Sequence, residues 1–277
     1  MNTVWLLTVN LAAVILMMVI GWLVSLKKDN VTVVDSFWGM GFVLIAWLTY
    51  AIAGGNTLRG LLLAILTTAW GIRLTVYLSW RNWGEGEDPR YASWRAAHGK
   101  KFRMVSLYKV FLAQALFMWV IAFSLQVGIL AQLPNRLGWL DAAGTAVWAL
   151  GFIFETIGDF QLAQFKANAH NRGSVMDKGL WAYTRHPNYF GEALIWWGIY
   201  LIVLSIPGSW WTAISPVVLT LVLLKMTGIT LTEKTILKKR PQYQEYIDRT
   251  SAFVPWFPKR RTKSDTFDES GRSRHSA

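Results

Sequence analysis

The run VWLLTVNLAAVILMMVIGWLVSL, residues 4–26, decides the fold class of this chain. It carries no charged residue, and it is long enough to cross the roughly 30 Å hydrocarbon core of a bilayer as one α-helix. No basic residue precedes it, and Lys27 and Lys28 follow it directly. We therefore interpret it as a retained transmembrane helix and not as a cleaved signal peptide.

Six more apolar runs follow, and together they predict an all-α polytopic membrane protein with about seven transmembrane helices in one bundle. Hydrophobic residues make up 53% of the 277 residues, more than a soluble domain of this length can bury. We expect residues 1–260 to form a single membrane domain and residues 261–277 to form a disordered tail. The six runs lie at 33–53, 58–80, 110–131, 139–165, 189–206 and 210–231.

The basic residues alternate between the segments that connect these runs. Of the 28 Lys and Arg residues, all but four follow the first, third, fifth or seventh run. Because basic residues are retained on the cytoplasmic side, the N-terminus is predicted outside and the C-terminus in the cytoplasm of a bacterial inner membrane. Segments 81–109 and 166–188, and the tail from Thr232, are then cytoplasmic. The four exceptions are Arg59, Arg73, Arg136 and Lys225.

Composition excludes several classes of site and partner. The chain has no cysteine and four scattered His, so disulfides and thiol catalysis are excluded and no metal centre is expected. Its net charge of +12 lies in short segments between apolar runs, which is typical of membrane topology and not of nucleic-acid binding. The predicted partners are membrane lipids and a lipophilic small molecule, and no protein partner is indicated.

Charged and polar side chains within the apolar runs are candidate functional residues, because a charge at mid-bilayer costs about 2.5–3.5 kcal/mol. Asp35 begins the second run, where it could instead cap the helix N-terminus. Trp70, Arg73, Tyr77 and Arg81 recur every three or four residues, so they form one inward-facing stripe of the third helix. Arg73 could instead pair with Asp35, and Arg81 could reach lipid phosphates.

The most specific cluster is GLWAYTRHPNYFGE, residues 179–192. Pro187 suits the first turn of a new helix, and Arg185, His186 and Asn188 supply cationic and amide donors around that turn. The helix dipole also favours negative charge at this end. We therefore expect an anionic ligand, such as a phosphate or carboxylate, to bind here from the cytoplasm.

Two further polar groups flank this cluster. Glu155 and Asp159 lie one helical turn apart at the end of the fifth run. They could accept hydrogen bonds from ribose hydroxyls, or they could simply be hydrated at a solvent-exposed helix end. Tyr243 and Tyr246 follow the basic residues 238–240. That region suits an adenine contact as well as attraction to anionic lipid.

Three motifs carry a family resemblance. They are GDFQ at 158–161, GLWAYTRHPNYFGEALIWWG from Gly179 and EYIDRTSAFVPWFP at 245–258. With them, residues 150–258 resemble the C-terminal domain of the steroid 5α-reductase family, and the whole chain is similar to its bacterial branch of unknown function. The RHPNY core is also similar to sterol reductases of the lamin B receptor type and, more distantly, to isoprenylcysteine carboxyl methyltransferases.

The resemblance implies an NADPH-dependent reductase that transfers a hydride to a C=C bond of a lipophilic, steroid-like enone. Such a reaction needs a donor at the carbonyl oxygen, and we expect Asp35, Arg73 and Tyr77 to line the substrate end. The Gln-Glu pair of span two in steroid 5α-reductases is missing here, and Trp70 stands in place of the catalytic Tyr. The expected cofactor-binding residues are Asp159, Lys166, Tyr183, Arg185, His186, Asn188, Glu192, Tyr243 and Tyr246.

Two other functions compete with the reductase. A membrane methyltransferase would use Arg185 and His186 to hold the carboxylate of S-adenosylmethionine. A non-enzymatic lipid or sterol binder would need only the apolar and aromatic interior.

Overall fold

The chain is all-helical in the computed structural model, which describes residues 3–55, 57–134, 136–226 and 229–259. Three long helices come first and are followed by shorter ones that continue into one another through a 3-10 turn and a π-helical stretch. The helices of this half are α1 Thr3–Lys28, α2 Val34–Ile52, α3 Leu58–Arg81, α4 Pro89–His98, α5 Phe102–Ser106, α6 Ala113–Ile121 and α7 Phe123–Leu130.

The second half combines one long helix with shorter ones. Within the described residues no strand is present, although Thr184 and Ser251 form an isolated parallel bridge. The predicted tail at 261–277 lies outside these residues. The helices are α8 Trp139–Ala167, α9 Pro187–Val203, α10 Ile214–Leu221, α11 Ile229–Lys239 and α12 Tyr243–Arg249.

Several helical segments are long and apolar enough to cross a bilayer, which indicates an integral membrane protein. The predicted first, second, third and fifth spans match these helices within two residues at each end. The apolar helix Ser209–Lys225 and α9 are shorter, so seven spans and their orientation stay predictions. The five candidates among the described residues are Thr3–Lys28, Val31–Ile52, Leu58–Arg81, Pro89–Ile121 and Trp139–Ala167.

The segment 81–109, predicted as a connecting loop, is largely helical because it contains α4 and α5. Pro89 occupies the start of α4, and the side chain of Asp88 accepts a hydrogen bond from the Arg90 N–H, as expected of an N-cap. Since α4 is polar, a search for apolar runs does not find it.

Contacts divide the chain into two compact units. The first contains the described residues of 1–153 and 191–222, and the second contains those of 154–190 and 223–277. The prediction of a single domain over residues 1–260 stays a prediction.

Glycines allow the helices of the first unit to pack backbone against backbone. A Cβ atom on Gly39 of α2 would lie 2.4 Å from the Gly71 carbonyl oxygen of α3. A Cβ atom on Gly144 of α8 would lie 2.6 Å from the Gly198 oxygen of α9. Small residues at such crossings are typical of membrane helices, where close van der Waals packing replaces the hydrophobic effect.

A buried polar network links three helices of the first unit. The side-chain amide of Asn10 donates to the Thr49 hydroxyl at 2.8 Å and to the Gln126 carbonyl oxygen at 2.9 Å. All three side chains are fully buried. Because an unpaired polar group in an apolar interior is costly, this network fixes the relative register of α1, α2 and α7.

A buried ion pair connects α3 and α8 of the first unit. Arg59, in the first turn of α3, binds Asp141 of α8 through Nε–Oδ1 at 2.7 Å and Nη2–Oδ2 at 3.0 Å. The same guanidinium donates to the carbonyl oxygens of Pro134 and Arg136. Both charged side chains are 2% exposed. Arg59, one of the four exceptions to the alternation of basic residues, thus connects a loop to two helices inside the protein.

Candidate functional site

The end of α8 binds the 179–188 segment through three consecutive contacts of the second unit. The Gly158 carbonyl accepts from the indole N–H of Trp181 at 3.0 Å, and the Gln161 side chain accepts from the Leu180 N–H at 3.0 Å. Between them, Asp159 Oδ1 accepts from the Asn188 amide at 3.1 Å. The GDFQ and GLWAYTRHPNYFGE motifs therefore form one structural element.

Two glycines make this close approach possible. Gly179 has φ +62°, a left-handed conformation that glycine adopts without strain, and a Cβ atom there would lie 2.4 Å from the Gln161 side chain. A Cβ atom on Gly158 would lie 3.1 Å from the Asn188 backbone nitrogen. A larger side chain at either position would push the 179–188 segment away from α8.

Asn188 presents a buried acceptor without a partner at the start of α9. Its Nδ2 donates to the Asp159 carboxylate. If the amide were flipped, its oxygen would instead face a carboxylate oxygen, and no hydrogen bond could form. Its Oδ1 is buried and accepts no hydrogen bond. Since buried polar atoms in native proteins are nearly always paired with protein or water, this oxygen can accept a hydrogen bond from a water molecule or from a ligand.

Arg185 and His186 both bind one carboxylate, that of Glu233 in α11. Arg185 Nε and Nη2 donate to Glu233 at 2.7 and 3.1 Å, and His186 Nε2 lies 3.1 Å from Oε1. The Arg185 guanidinium also donates to the carbonyl oxygens of Ile247 and Thr250. Arg185 and His186 were expected to bind an anionic ligand. They instead connect the start of α9 to the part of the chain that begins with α11, which we call the C-terminal segment.

These contacts also set the protonation of Glu233. Burial alone would favour the neutral acid, but the hydrogen bonds from His186 and Arg185 outweigh it and lower the pKa of the Glu233 carboxyl below its usual range. Glu233 is thus a carboxylate at neutral pH.

The third motif lies alongside the second. The Arg185 N–H donates to the Ser251 carbonyl at 2.9 Å, the Thr184 hydroxyl donates to the Phe253 carbonyl at 2.8 Å, and the Trp256 N–H donates to the Tyr183 carbonyl at 2.9 Å. Each contact pairs one residue of 183–185 with one of 251–256. The second of the three motifs that carry the family resemblance therefore contacts both the first and the third within the second unit.

The predicted tyrosines differ in exposure. Tyr243 and Tyr246 are buried with their rings 5.4 Å apart, and the Tyr246 hydroxyl donates to the Trp181 carbonyl. Tyr183 is 43% exposed, and Lys166 is exposed at the end of α8. A cavity of about 450 Å³ opens beside Tyr246, and it is also lined by Val175, Asp177, Gln242, Glu245 and Arg249.

The predicted substrate residues lie in the first unit. Asp35 accepts hydrogen bonds from Arg81 at 3.3 Å and Asn82 at 3.2 Å, so its ion-pair partner is Arg81 and not Arg73. The guanidinium carbons of Arg73 and Arg81 lie 5.4 and 6.0 Å from the centre of the Tyr77 ring. The structure thus brings Arg73 and Tyr77 together, with Arg81 joining Tyr77 to Asp35.

Trp70, expected where the family has a catalytic Tyr, belongs to an aromatic core. It is fully buried, and its ring lies 5.5 Å from Phe42 and 5.5 Å from Trp196. Two further candidates, Glu155 and Glu192, are buried. Among the described residues, no three His, Asp or Glu side chains lie close enough together to hold a metal ion.

Comparison with known proteins places the chain in a family. The model of the family described as "Protein of unknown function (DUF1295)" matches residues 21–250. The chain belongs to this family. It is the family of the steroid 5α-reductase-like proteins, so the resemblance stated from the three motifs is confirmed.

A fungal relative supports the extent of the match. An uncharacterized protein of Schizosaccharomyces pombe is 27% identical over 262 residues, which covers 84% of this DUF1295 chain and 75% of the relative. No solved structure matches the chain significantly.

Sequence reasoning missed the partners of the predicted residues. Glu233 organises Arg185 and His186, and Asn82 binds Asp35, yet neither was a candidate. The signal for Glu233 was a carboxylate preceding the basic residues 238–240. No comparable signal marks Asn82, because its contact depends on how the ends of α2 and α3 meet.

Proposed function

We propose that this DUF1295 protein is an integral-membrane, NADPH-dependent reductase that transfers a hydride to the C=C bond of a lipophilic, steroid-like enone. The observation that carries the proposal is the buried, unpaired Oδ1 of Asn188 beside Asp159. An acceptor in this position fits a donor such as the carboxamide or ribose hydroxyl of a nicotinamide dinucleotide. The steroid 5α-reductase-like family supports that choice of cofactor.

Asn188 and Asp159 would hold the cofactor in the second unit. The cavity beside Tyr246 offers a second contact surface, and its volume of about 450 Å³ lies in the usual range of roughly 300–1,000 Å³ for small-molecule sites. Lys166 and Tyr183 are exposed and thus accessible to a ligand, and Glu192 remains a predicted contact. Arg185 and His186 would act through Glu233, by keeping the C-terminal segment in place.

NADPH, when bound, would supply the hydride. The residues of the chain must then stabilise the negative charge that develops on the carbonyl oxygen of the substrate. Tyr77 carries a hydroxyl donor, and the guanidinium groups of Arg73 and Arg81, within about 6.0 Å of its ring, favour negative charge on an acceptor bound there. Asp35 orients Arg81 through their ion pair.

The proposal includes the topology predicted from the basic residues, with seven crossings, the N-terminus outside and the cofactor site in the cytoplasm of a bacterial inner membrane. The 17 residues of α9 extend about 26 Å at 1.5 Å per residue, close to the thickness of a bilayer core. Reporter fusions after each helix would test the orientation. Activity of a periplasmic reporter fused after α12 would contradict it.

The decisive experiment measures binding of NADPH to the purified protein in detergent, by thermal shift and by titration of cofactor fluorescence. We expect NADPH to stabilise the protein and S-adenosylmethionine not to. Asn188→Ala should weaken NADPH binding by roughly ten-fold, since a hydrogen bond to a buried group contributes about 1–2 kcal/mol. Asn168→Ala, a change of the same size at an exposed helix cap of the same unit, is the matched control.

Binding alone does not establish the reaction. Oxidation of NADPH, followed by its nicotinamide absorbance, should depend on an added enone and fall strongly in Tyr77→Phe. If neither NADPH binding nor enone-dependent oxidation occurs, the reductase proposal fails, and stabilisation by a sterol alone would favour a lipid binder.

The methyltransferase is less well supported by the geometry. A methyltransferase would use Arg185 and His186 to bind the carboxylate of S-adenosylmethionine. In the structure, both side chains already bind the carboxylate of Glu233.

A further inference from the structure

The helical segment that leads into the fourth span has more residues than one crossing of the hydrocarbon core requires. Pro89–Ile121 has 33 residues, whereas about 20 helical residues cross a core of roughly 30 Å, and α4 ends just before Gly99, where φ is +51°. Its C-terminal part is apolar, whereas Arg90, Arg95 and Arg103 lie in its N-terminal part. The N-terminal part, α4 and α5, therefore belongs at the membrane surface.

Ion pairs fasten this surface segment to the ends of α1 and α2. Arg95 binds Glu87 at 2.7 Å and Asp29 at 2.6 Å. Glu87 in turn accepts a hydrogen bond from the Val31 N–H at 2.8 Å, and the Thr32 hydroxyl accepts one from the Asp88 N–H. The pKa of Glu87 is lowered because the Arg95 and Val31 hydrogen bonds outweigh its burial. The segment is thus held in a defined position.

Four exposed basic side chains of residues 100–109 form what we call the basic edge: Lys100, Lys101, Arg103 and Lys109. Arg90 is also exposed, but it binds Asp88. Among the described residues, no carboxylate lies within ion-pair distance of any of the four. Of the three acids in residues 81–109, Glu87 binds Arg95 and Asp88 binds Arg90, which leaves Glu85 against the four basic side chains. The basic edge therefore has an excess of positive charge.

Large apolar side chains are exposed in the same segment. Trp94 is 39% exposed, Met104 56% and Tyr108 50%, and Trp83 in the preceding turn is 85% exposed. Aromatic and basic side chains that are exposed together are typical of the interface between lipid headgroups and acyl chains.

We propose that the basic edge binds the headgroups of anionic phospholipids, while Trp94, Met104 and Tyr108 insert among the adjoining acyl chains. The charge of the edge is complementary to a phosphodiester headgroup that carries net negative charge. This surface lies in the first unit and does not depend on the reductase proposal. Each basic side chain near a surface strengthens attraction to anionic lipid roughly five-fold.

The absence of cysteine allows a direct test with the full-length protein. A fluorophore attached through Ala97→Cys, an exposed position of α4, reports on nearby lipids in phosphatidylcholine nanodiscs. Energy transfer to trace headgroup-labelled phosphatidylglycerol is compared with transfer to equally labelled phosphatidylcholine. We expect local enrichment of phosphatidylglycerol of roughly five-fold or more.

The variant Lys100→Gln, Lys101→Gln, Arg103→Gln and Lys109→Gln should abolish this enrichment. The matched control removes four positive charges from the second unit through Arg172→Gln, Lys178→Gln, Lys238→Gln and Lys259→Gln, and it should retain the enrichment. High salt should abolish the enrichment in the protein without these substitutions, since it screens surface charge.

Three results of the comparison between lipids and variants would overturn the proposal. They are equal transfer to both lipids without the substitutions, enrichment that persists in the basic-edge variant, and enrichment lost to the same degree in the control. Because the salt titration uses no basic-edge substitution, insensitivity to salt would also overturn it, even if the variant failed to fold.

Discussion

Two buried arginines, one in each unit, have nearly the same set of partners but differ in what those partners connect. Arg59 binds both oxygens of Asp141 and two backbone carbonyls. Arg185 binds both oxygens of Glu233 and two backbone carbonyls. Each guanidinium therefore has the partners that a buried cation needs.

The difference lies in the carboxylate. Asp141 also accepts a hydrogen bond from the Gly138 N–H, so it closes a short loop between helices, and both side chains are 2% exposed. Glu233 is shared with His186, is 13% exposed, and connects the start of α9 to a segment about 50 residues later in the chain. The first ion pair connects α3 to α8 and to the loop before it, whereas the second connects the candidate cofactor site to the C-terminal segment.

The largest effect is expected in the first unit. Arg59→Met should destabilise the protein by about 3–5 kcal/mol, because it leaves the Asp141 carboxylate buried without its cation. Denaturant unfolding of the purified protein in detergent, followed by circular dichroism, measures the change. The double variant Arg59→Met with Asp141→Leu removes both charges and should recover part of the loss. A double variant less stable than the single one would contradict this account.

Glu233→Gln should have a smaller effect, about 1.5–3 kcal/mol, because it weakens charge-assisted hydrogen bonds but leaves Arg185 its two carbonyl acceptors. The same unfolding measurement applies. Asp248→Asn, an exposed acid-to-amide change in α12, should alter stability by less than about 0.5 kcal/mol. Equal effects of the two variants would show that the Glu233 contacts do not stabilise the C-terminal segment.

The comparison shows which parts of the fold the sequence could predict. Apolar runs located four helices within two residues at each end, because burial in lipid demands a long uninterrupted run. The same reasoning missed α4, whose stability depends on the Asp88 cap and the Arg95 ion pairs and not on hydrophobicity. The burial of Arg59 could not be predicted for a related reason, since it depends on Asp141, which is far away in the sequence.

The candidate site was predicted in part. The motifs identified Asp159 and Asn188, which lie 29 residues apart in the sequence and which the structure brings into contact. The partner of Arg185 could not be predicted, because a long-range ion pair has no local pattern. The sequence alone favoured a ligand for Arg185 and His186, whereas the structure supplies a protein carboxylate.

The smallest effect is expected from a change in pH, which acts on the second ion pair through protonation of Glu233. The contacts with His186 and Arg185 hold the pKa of Glu233 below its value in the unfolded chain, about 4.3, although burial opposes this shift. Such a group contributes stability above the unfolded pKa and loses that contribution as the pH falls through the folded pKa. The difference in melting temperature between the unsubstituted protein and Glu233→Gln should therefore be largest above about pH 5 and shrink as the pH falls below about 4. Thermal unfolding from neutral to acidic pH measures it, with Asp248→Asn as the control, and a difference that grows at low pH would show that Glu233 is not bound as a carboxylate.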